Sequence, residues 1–254
     1  MNTRDDKTAR DAFLAMVSHE LRQPLAPILT ALEIMRLRPT GDVGERARQT
    51  IERQVWQLAR FVEDLVEYSN AQRGVLAIRS EPVNLREILD TAVDTAQPVL
   101  RHREQRVEVN LADGEIALDG DRARLTQIFA NLLNNTAKFT EPGSTIAVDA
   151  RAQDNTVAVR VRDTSQGISP EKLRDIFRLL VNVEQEQSWP GQGIGLAVVR
   201  TLVELHGGSV EAISPTDHHG AEFVVMLPLR ATAYGGATLQ DAQKARSGPD
   251  LPLS

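Results

Sequence analysis

Four stretches of this chain carry side chains whose types and spacing could do chemistry. The first is Ser18-His19-Glu20-Leu21-Arg22-Gln23-Pro24-Leu25. An acid directly beside a histidine can orient the imidazole and accept its proton, which leaves the other ring nitrogen as a nucleophile. Gln23 follows one helical turn later, on the same side. The second stretch runs from Asn131 to Lys138, with Asn131, Asn135 and Lys138 spaced four and three apart. Two amide carbonyls and an ammonium in a row suit phosphate oxygens and a hard cation. Magnesium takes oxygen ligands and keeps several waters, so it needs few protein groups. A solvated polar helix face would look the same. Asn is a poor helix former, however, and Asn131, Asn134 and Asn135 together call for a reason.

The third stretch is Asp163-Thr164-Ser165-Gln166-Gly167-Ile168, directly after a strand pattern. Its carboxylate can accept from an amine such as the exocyclic group of adenine, and Gly167 would let backbone approach a flat ring. By itself it could be any strand-to-loop turn. The fourth is Gly191-Gln192-Gly193-Ile194-Gly195-Leu196, a glycine-rich loop opening a helix. Amides at a helix N-terminus favour anions such as phosphate. A lone Gly-x-Gly-x-Gly is weak, and here it lacks the βαβ context with an acid about 20 residues on that a dinucleotide fold needs.

The histidine sits in a helical pattern. Phe13, Val17, Leu21, Pro24, Ile28, Leu32 and Met35 mark one apolar face of a helix running to about Leu37. His19 falls nearly opposite the centre of that face, and Glu20 close to its edge. Pro24 and Pro27 cannot donate to the carbonyls of Glu20 and Gln23, so a kink is expected just after the histidine. Residues 1–12 read as a helical lead-in or a frayed terminus. Residues 39–42 read as a turn. A second helix follows over 45–72, with Ile51, Val55, Leu58, Val62 and Leu65 in a heptad-like stripe. One hairpin cannot bury both stripes well. Pairing two copies as a four-helix bundle solves that, so a homodimer is the expectation, with packing on the rest of its own chain as the alternative.

Residues 73–83 change character and mark a boundary, with a short strand there an option. Asn84 with Glu87 opens a helix in capping-box fashion, ending near residues 98–101. Residues 106–111 alternate as a strand, with 116–118 as its short partner. Asp121 caps a helix carrying Leu125, Ile128, Phe129, Leu132 and Leu133. Residues 145–152 and 156–161 are hairpin-linked strands. Ser169-Pro170 starts a short helix to about Phe177. Residues 179–192 read as a mobile loop. Residues 193–206 return to helix, stopped by Gly207-Gly208. Residues 209–213 and 222–227 are the last strands, and from 232 the chain reads as a disordered tail. The fold class is therefore multidomain: an all-α helical hairpin, then an α+β two-layer sandwich with a mixed sheet covered by helices on one face.

Composition narrows the classes. The chain has 254 residues, 41% hydrophobic and 4% aromatic, so aliphatic side chains must fill most of the core. It has no cysteine, which excludes disulfides and thiolate metal sites and fits a cytoplasmic protein. No apolar run approaches a membrane span and no signal peptide opens the sequence, so no membrane contact is expected of this segment. The net charge is −6; residues 1–74 balance, and the acidic excess lies in 75–254. No basic footprint for nucleic acid is present.

In their order along the chain, the four stretches resemble those of a two-component sensor histidine kinase, over about residues 10–230. The resemblance implies a dimerisation and phosphotransfer hairpin (1–74), a linker (75–83), a Bergerat-type catalytic ATP-binding domain (84–231) and a tail (232–254). It implies ATP and Mg2+ as cofactors, His19 as phospho-acceptor, Glu20 as its base, and Gln23 at a position linked to dephosphorylation. Asn131, Asn135 and Lys138 would hold magnesium and phosphates, with Asn135 as metal ligand. Asp163 would read adenine and Gly167 would floor the base. Gly191, Gly193 and Gly195 would flank the lid over the phosphates. Implied partners are a second copy and the receiver domain of a response regulator, whose aspartate takes the phosphate.

Four departures from the family's commoner pattern stand out. Ser165 replaces a glycine, Leu180 a phenylalanine, Ala221-Glu222 a pair of small hydroxyl residues, and Gln23 a Thr or Asn. They leave open a degenerate kinase acting as a dimeric scaffold or phosphatase with weak nucleotide binding. If φ at Ser165 is positive, strain would weaken nucleotide binding and Ser165→Gly would tighten it several-fold. That tightening is the expectation. If φ is negative, the hydroxyl can bond a neighbouring amide and the cost vanishes. A superfamily ATPase without phosphohistidine is a further rival, against which the acceptor hairpin argues.

Overall fold

The computed structural model describes residues 3–37, 41–112, 114–165, 167–173, 176–177, 194–214 and 220–230. It opens with two long helices packed on each other, α1 (Thr3–Arg36) and α2 (Asp42–Gln72). Helix α1 already begins at Thr3, so the lead-in is helical. It runs unbroken through Pro24 and Pro27, and the expected kink does not interrupt it. Pro24 is buried, and its packing offsets the lost donor. Among the described side chains of the hairpin, only Pro24, Ala31 and Ala47 are buried. Leu25, Leu29, Leu32 and Met35 of α1 stay exposed, as do Val55, Trp56, Val62 and Val66 of α2.

Strand β1 (Glu81–Asn84) leads into α3 (Leu85–His102), which runs past Pro98. The Asn84 side chain caps α3 by accepting from Arg86 N at 2.8 Å. Glu87 pairs with Arg122. Strand β2 (Arg106–Leu111) is followed by β3 (Ala117–Gly120), which pairs antiparallel with β1 instead of β2. That pairing sets buried Val83 opposite buried Leu118, while β2 pairs with β4 at the edge of the main sheet. The expected partnership of residues 116–118 with 106–111 is thereby corrected.

Helix α4 (Arg122–Phe139) starts where Asp121 Oδ1 accepts from Ala123 N and Arg124 N at 3.1 and 3.2 Å. At its far end Gln105 Nε2 donates to Ala137 O and Thr140 O, which fixes the last turn, where Lys138 sits. The remaining elements are β4 (Thr145–Gln153), β5 (Thr156–Arg162), α5 (Pro170–Leu173), α6 (Gly195–Leu205), β6 (Ser209–Ile213) and β7 (Glu222–Pro228). Helix α5 is described over Pro170–Leu173, and Ile176 and Phe177, expected in the same helix, lie in a turn.

The main sheet has the order β2-β4-β5-β7-β6, with β2 and β4 parallel and the other pairs antiparallel. One register row crosses all five strands: Val109, Val148, Val161, Phe223 and Ala212. Such alternation turns one face to a core. Helices α3, α4 and α6 pack there with Leu89, Phe129, Leu133 and Val199, giving the two-layer α+β sandwich. No helix among the described residues is long and apolar enough to cross a membrane. The loop expected at 179–192 with Leu180, the tail from 232, and Gly191 and Gly193 lie outside the described residues.

Candidate functional site

His19 is exposed on α1 and Glu20 half-buried beside it, as the helical pattern predicts. Gln23 Nε2 lies 2.9 Å from His19 Nε2. With the amide donating, the imidazole accepts at Nε2 and carries its proton on Nδ1. Burial pushes the Glu20 carboxyl above its usual range, and the charges of His19 and Lys138 pull it part of the way back. A carboxylate shifted this way is a better proton acceptor than an exposed one.

Lys138 comes from the far end of α4, so the electrostatic link to Glu20 joins the sandwich to the hairpin. The ammonium is held below its usual range by desolvation and then by the Arg60 charge, while Glu20 and Asp64 oppose both. Lys138 is nevertheless exposed at the surface, so its desolvation is partial. One turn before it, Asn135 is only 8% exposed; two turns before it, Asn131 is 7% exposed. Asn131 Oδ1 accepts from Arg60 Nη2 at 2.8 Å. Asn131 Nδ2 faces Asp64 without closing a well-formed hydrogen bond, and it is a buried orphan together with Asn134 Oδ1. Buried amide atoms left unspent by the protein cost stability unless something else meets them.

This donor set fits phosphate and a hard cation. Among the described residues no cluster of His, Cys, Asp and Glu could hold a metal alone. A cation here would rest on amide oxygen, phosphate and water, which is how magnesium is usually held. Gly195 opens α6 at the same place: a Cβ built on it would lie 3.7 Å from Asp64 Oδ2 and 3.9 Å from Asn131 Nδ2.

The Asp163 turn forms a second pole, and among the described residues no hydrogen bond ties it to the α4 amides. Asp163 Oδ1 accepts from Ser165 N at 2.9 Å and Ala221 N at 2.8 Å, leaving Oδ2 for an outside donor. Gly167 has φ 79°, and a Cβ there would lie 2.4 Å from Ser214 Oγ. Ser214 Oγ in turn receives Ile168 N and donates to Gly220 O, both at 3.0 Å. Gly220 has φ 140°, and a Cβ on it would collide with Asp163 O at 2.2 Å. Both glycines are therefore required by backbone angle and by space. Ser165 is not among the positive-φ residues, which outside glycine are Glu104 and Asp154. Its hydroxyl accepts from Gly167 N at 3.2 Å, so it braces the turn. The strain that motivated a gain from Ser165→Gly is absent.

Residues 9–74 match the family described as His Kinase A (phospho-acceptor) domain, and residues 120–231 match the histidine kinase-, DNA gyrase B-, and HSP90-like ATPase family. The chain belongs to the sensor histidine kinases. Sensor histidine kinase AtsR of Burkholderia thailandensis is 32% identical over 240 residues, 92% of this chain and 40% of AtsR. The chain spans less than half the length of the curated relatives it matches. Among solved structures, full-length ShkA in complex with AMPPNP aligns with TM-score 0.62 and 27% identity, over 85% of this chain and 45% of ShkA. Histidine kinase ThkA in complex with response regulator protein TrrA aligns with TM-score 0.66 and 18% identity, over 89% of this chain and 64% of that one.

Four residues at the two poles were not singled out by the sequence alone: Arg60, Asp64, Ser214 and Gly220. Arg60, Asp64 and Glu67 are spaced four and three apart on α2, beside Phe61, Leu65 and Tyr68, which pack on the sandwich core. That paired spacing was the available signal. Ser214 and Gly220 gave none, because they act only once β6 and β7 stand next to the Asp163 turn.

Proposed function

We propose that the chain is an ATP-dependent autokinase that phosphorylates its own His19 and passes the phosphate to an aspartate on a response regulator. The observation that carries this is the contact of α2 with α4, where Arg60 Nη2 donates to Asn131 Oδ1 at 2.8 Å, so that the hairpin bearing His19 lies against the helix bearing Asn131, Asn135 and Lys138. Residues 1–74 act as the acceptor hairpin and 84–231 as the ATP-binding unit, joined by 75–83.

Asp163 Oδ2 accepts from the adenine amine, and Gly167 gives the base its floor. Asn131, Asn135 and Lys138 hold the triphosphate end, with Gly191, Gly193 and Gly195 lining the lid side and Asn135 ligating Mg2+. The ion, when bound, neutralises charge developing on the phosphate oxygens. Glu20 takes the Nδ1 proton of His19, Gln23 withdraws from Nε2, and the freed lone pair attacks the γ-phosphorus in line as ADP leaves. Catalysis is then mainly positioning and charge neutralisation. Returning to Nε2 later, the Gln23 amide can orient a water for dephosphorylation. The uncovered apolar residues of α1 and α2 support a homodimer through a four-helix bundle. The pairing of ThkA with TrrA supports a receiver domain as the second partner. A reducing cytoplasmic setting suits a chain without cysteine.

The test is incubation of the intact chain with labelled ATP and magnesium. An acid-labile, base-stable label should appear on the parent protein and vanish in His19→Ala, which still binds a non-hydrolysable ATP analogue. Label persisting in that variant would assign the acceptor elsewhere.

A further inference from the structure

Helix α2 contributes more than a scaffold. On the face built by Arg60, Asp64 and Glu67 it meets the phosphate side of the sandwich directly. Arg60 donates to Asn131, and Glu67 receives both Arg124 and Gln127 from the first turns of α4. Phe61, Leu65 and Tyr68 pack on the sandwich core alongside, so the contact is seated and not a single ion pair. Asp64 is the odd member. A carboxylate is costly to bury unless cations and donors surround it. Those around Asp64 are Arg60, Asn131 and Gln127, with Lys138 acting at longer range, and of these Asn131 and Lys138 are assigned above to the nucleotide phosphates. A Cβ placed on Gly195 would lie 3.7 Å from Asp64 Oδ2 and 3.9 Å from Asn131 Nδ2, and Asn131 Nδ2 is a buried donor with no hydrogen-bond partner among the described residues. The positive charges acting at this place are Arg60 and Lys138.

Given the nucleotide site proposed above, we propose that α2 is its removable wall, with the Asp64 carboxylate seated where a phosphate of ATP would lie. Two anions cannot share one set of donors. The docked hairpin and the bound triphosphate then exclude each other, and nucleotide binding is what releases α2 from α4. Adenosine, which reaches only the Asp163 pole, is indifferent to the wall. The wall also sets the order of events: the triphosphate must displace Asp64 before His19 can be presented to it.

Calorimetric titration of the intact chain with magnesium and a non-hydrolysable ATP analogue, with adenosine followed in parallel by NMR, tests this. Asp64→Asn keeps the size of the side chain and removes its charge. It should tighten the analogue about tenfold, equivalent to ~1.4 kcal/mol, and leave adenosine unchanged; Asp64→Glu should stay near the parent. Because the chain has no cysteine, Glu67→Cys with Arg124→Cys can be bridged by a short bis-maleimide to lock α2 on α4. The bridged protein should lose the analogue and keep adenosine, while the unbridged double variant binds both. Equal analogue affinity in Asp64→Asn and parent, or undiminished binding by the bridged protein, overturns the wall while the nucleotide site stands. A parent protein that binds neither ligand overturns both.

Discussion

The hairpin and the sandwich bury their apolar residues by different means. In the sandwich, a register row spans five strands and three helices cover it, so Phe129, Ile88 and Val159 are fully out of water. In the hairpin, α1 and α2 cover each other and only part of α2 reaches the sandwich core, and Leu29 remains 63% and Trp56 72% exposed. A sheet with covering helices can complete a core within one chain, whereas two helices leave each other half covered. The sandwich should therefore be stable by itself, and the hairpin only as stable as whatever covers it.

The largest effect that tests this contrast is in the core. Phe129→Ala should cost about 3–5 kcal/mol and unfold the sandwich, with loss of nucleotide binding. Leu29→Ala should leave the sandwich transition where it is. Denaturant titrations followed by circular dichroism, at several protein concentrations, separate the two. A shift from Leu29→Ala as large as that from Phe129→Ala would show that hairpin and sandwich unfold as one body.

A charge on the exposed apolar surface of α1, to which Leu29 belongs, is the next strongest perturbation. Leu29→Glu should convert the dimer to monomer in sedimentation experiments and leave binding of the ATP analogue within about twofold, since surface substitutions usually stay within about 0.5 kcal/mol. A variant that remains dimeric would move the partner surface away from the apolar stripe.

Glu20 sits where the two regions meet. Its folded pKa is raised, chiefly by desolvation. An acid shifted this way contributes stability below its unfolded pKa, about 4.3, and that contribution is lost as pH rises through the folded value. At neutral pH the ionised Glu20 therefore costs folding free energy. Glu20→Gln should raise the melting temperature slightly at pH 7, leave it unchanged near pH 4, and sharply slow phosphorylation of His19. A lowered melting temperature at pH 7 would mean that the carboxylate is held by partners that outweigh its burial.

What the sequence carried was local. Asn84 and Asp121 declared two helix starts, and both side chains cap as their positions suggest. Periodicity located the hairpin helices, the exposed His19 and the buried side of α4. Two features were illegible because distant contacts decide them. The partner of β3 depended on which short edge offered the better apolar pairing, and β1 won through Val83 and Leu118. The role of Arg60 and Asp64 depended on α2 lying against α4, whereas on an isolated helix they read as solvated charges. The unbroken course of α1 through Pro24 and Pro27 belongs with these: Pro24 is buried, whereas nothing in the structure explains the exposed Pro27.

The smallest expected effect concerns Ser165, and it asks whether the Asp163 pole is a working part of the sandwich. A site that had decayed would carry strain that glycine relieves. Here the backbone of Ser165 avoids positive φ, its amide donates to Asp163 Oδ1, and its hydroxyl receives Gly167 N. Gly167 is the residue whose φ of 79° and crowding against Ser214 demand a fixed turn. Replacing Ser165 by glycine removes the hydroxyl acceptor, worth about 0.5–1.5 kcal/mol net for such a bond, and frees a backbone that was already in its required conformation. Asp163 then keeps its bonds from both backbone amides, that of residue 165 and that of Ala221, while Gly167 N loses the hydroxyl that braced the turn. Ser165→Gly should therefore weaken binding of an ATP analogue by a few-fold and leave the dimer unaltered. Titration calorimetry on the two proteins reads this directly. Tighter binding by the glycine variant would mean that the serine opposes the nucleotide, and would reopen the case for a degenerate site.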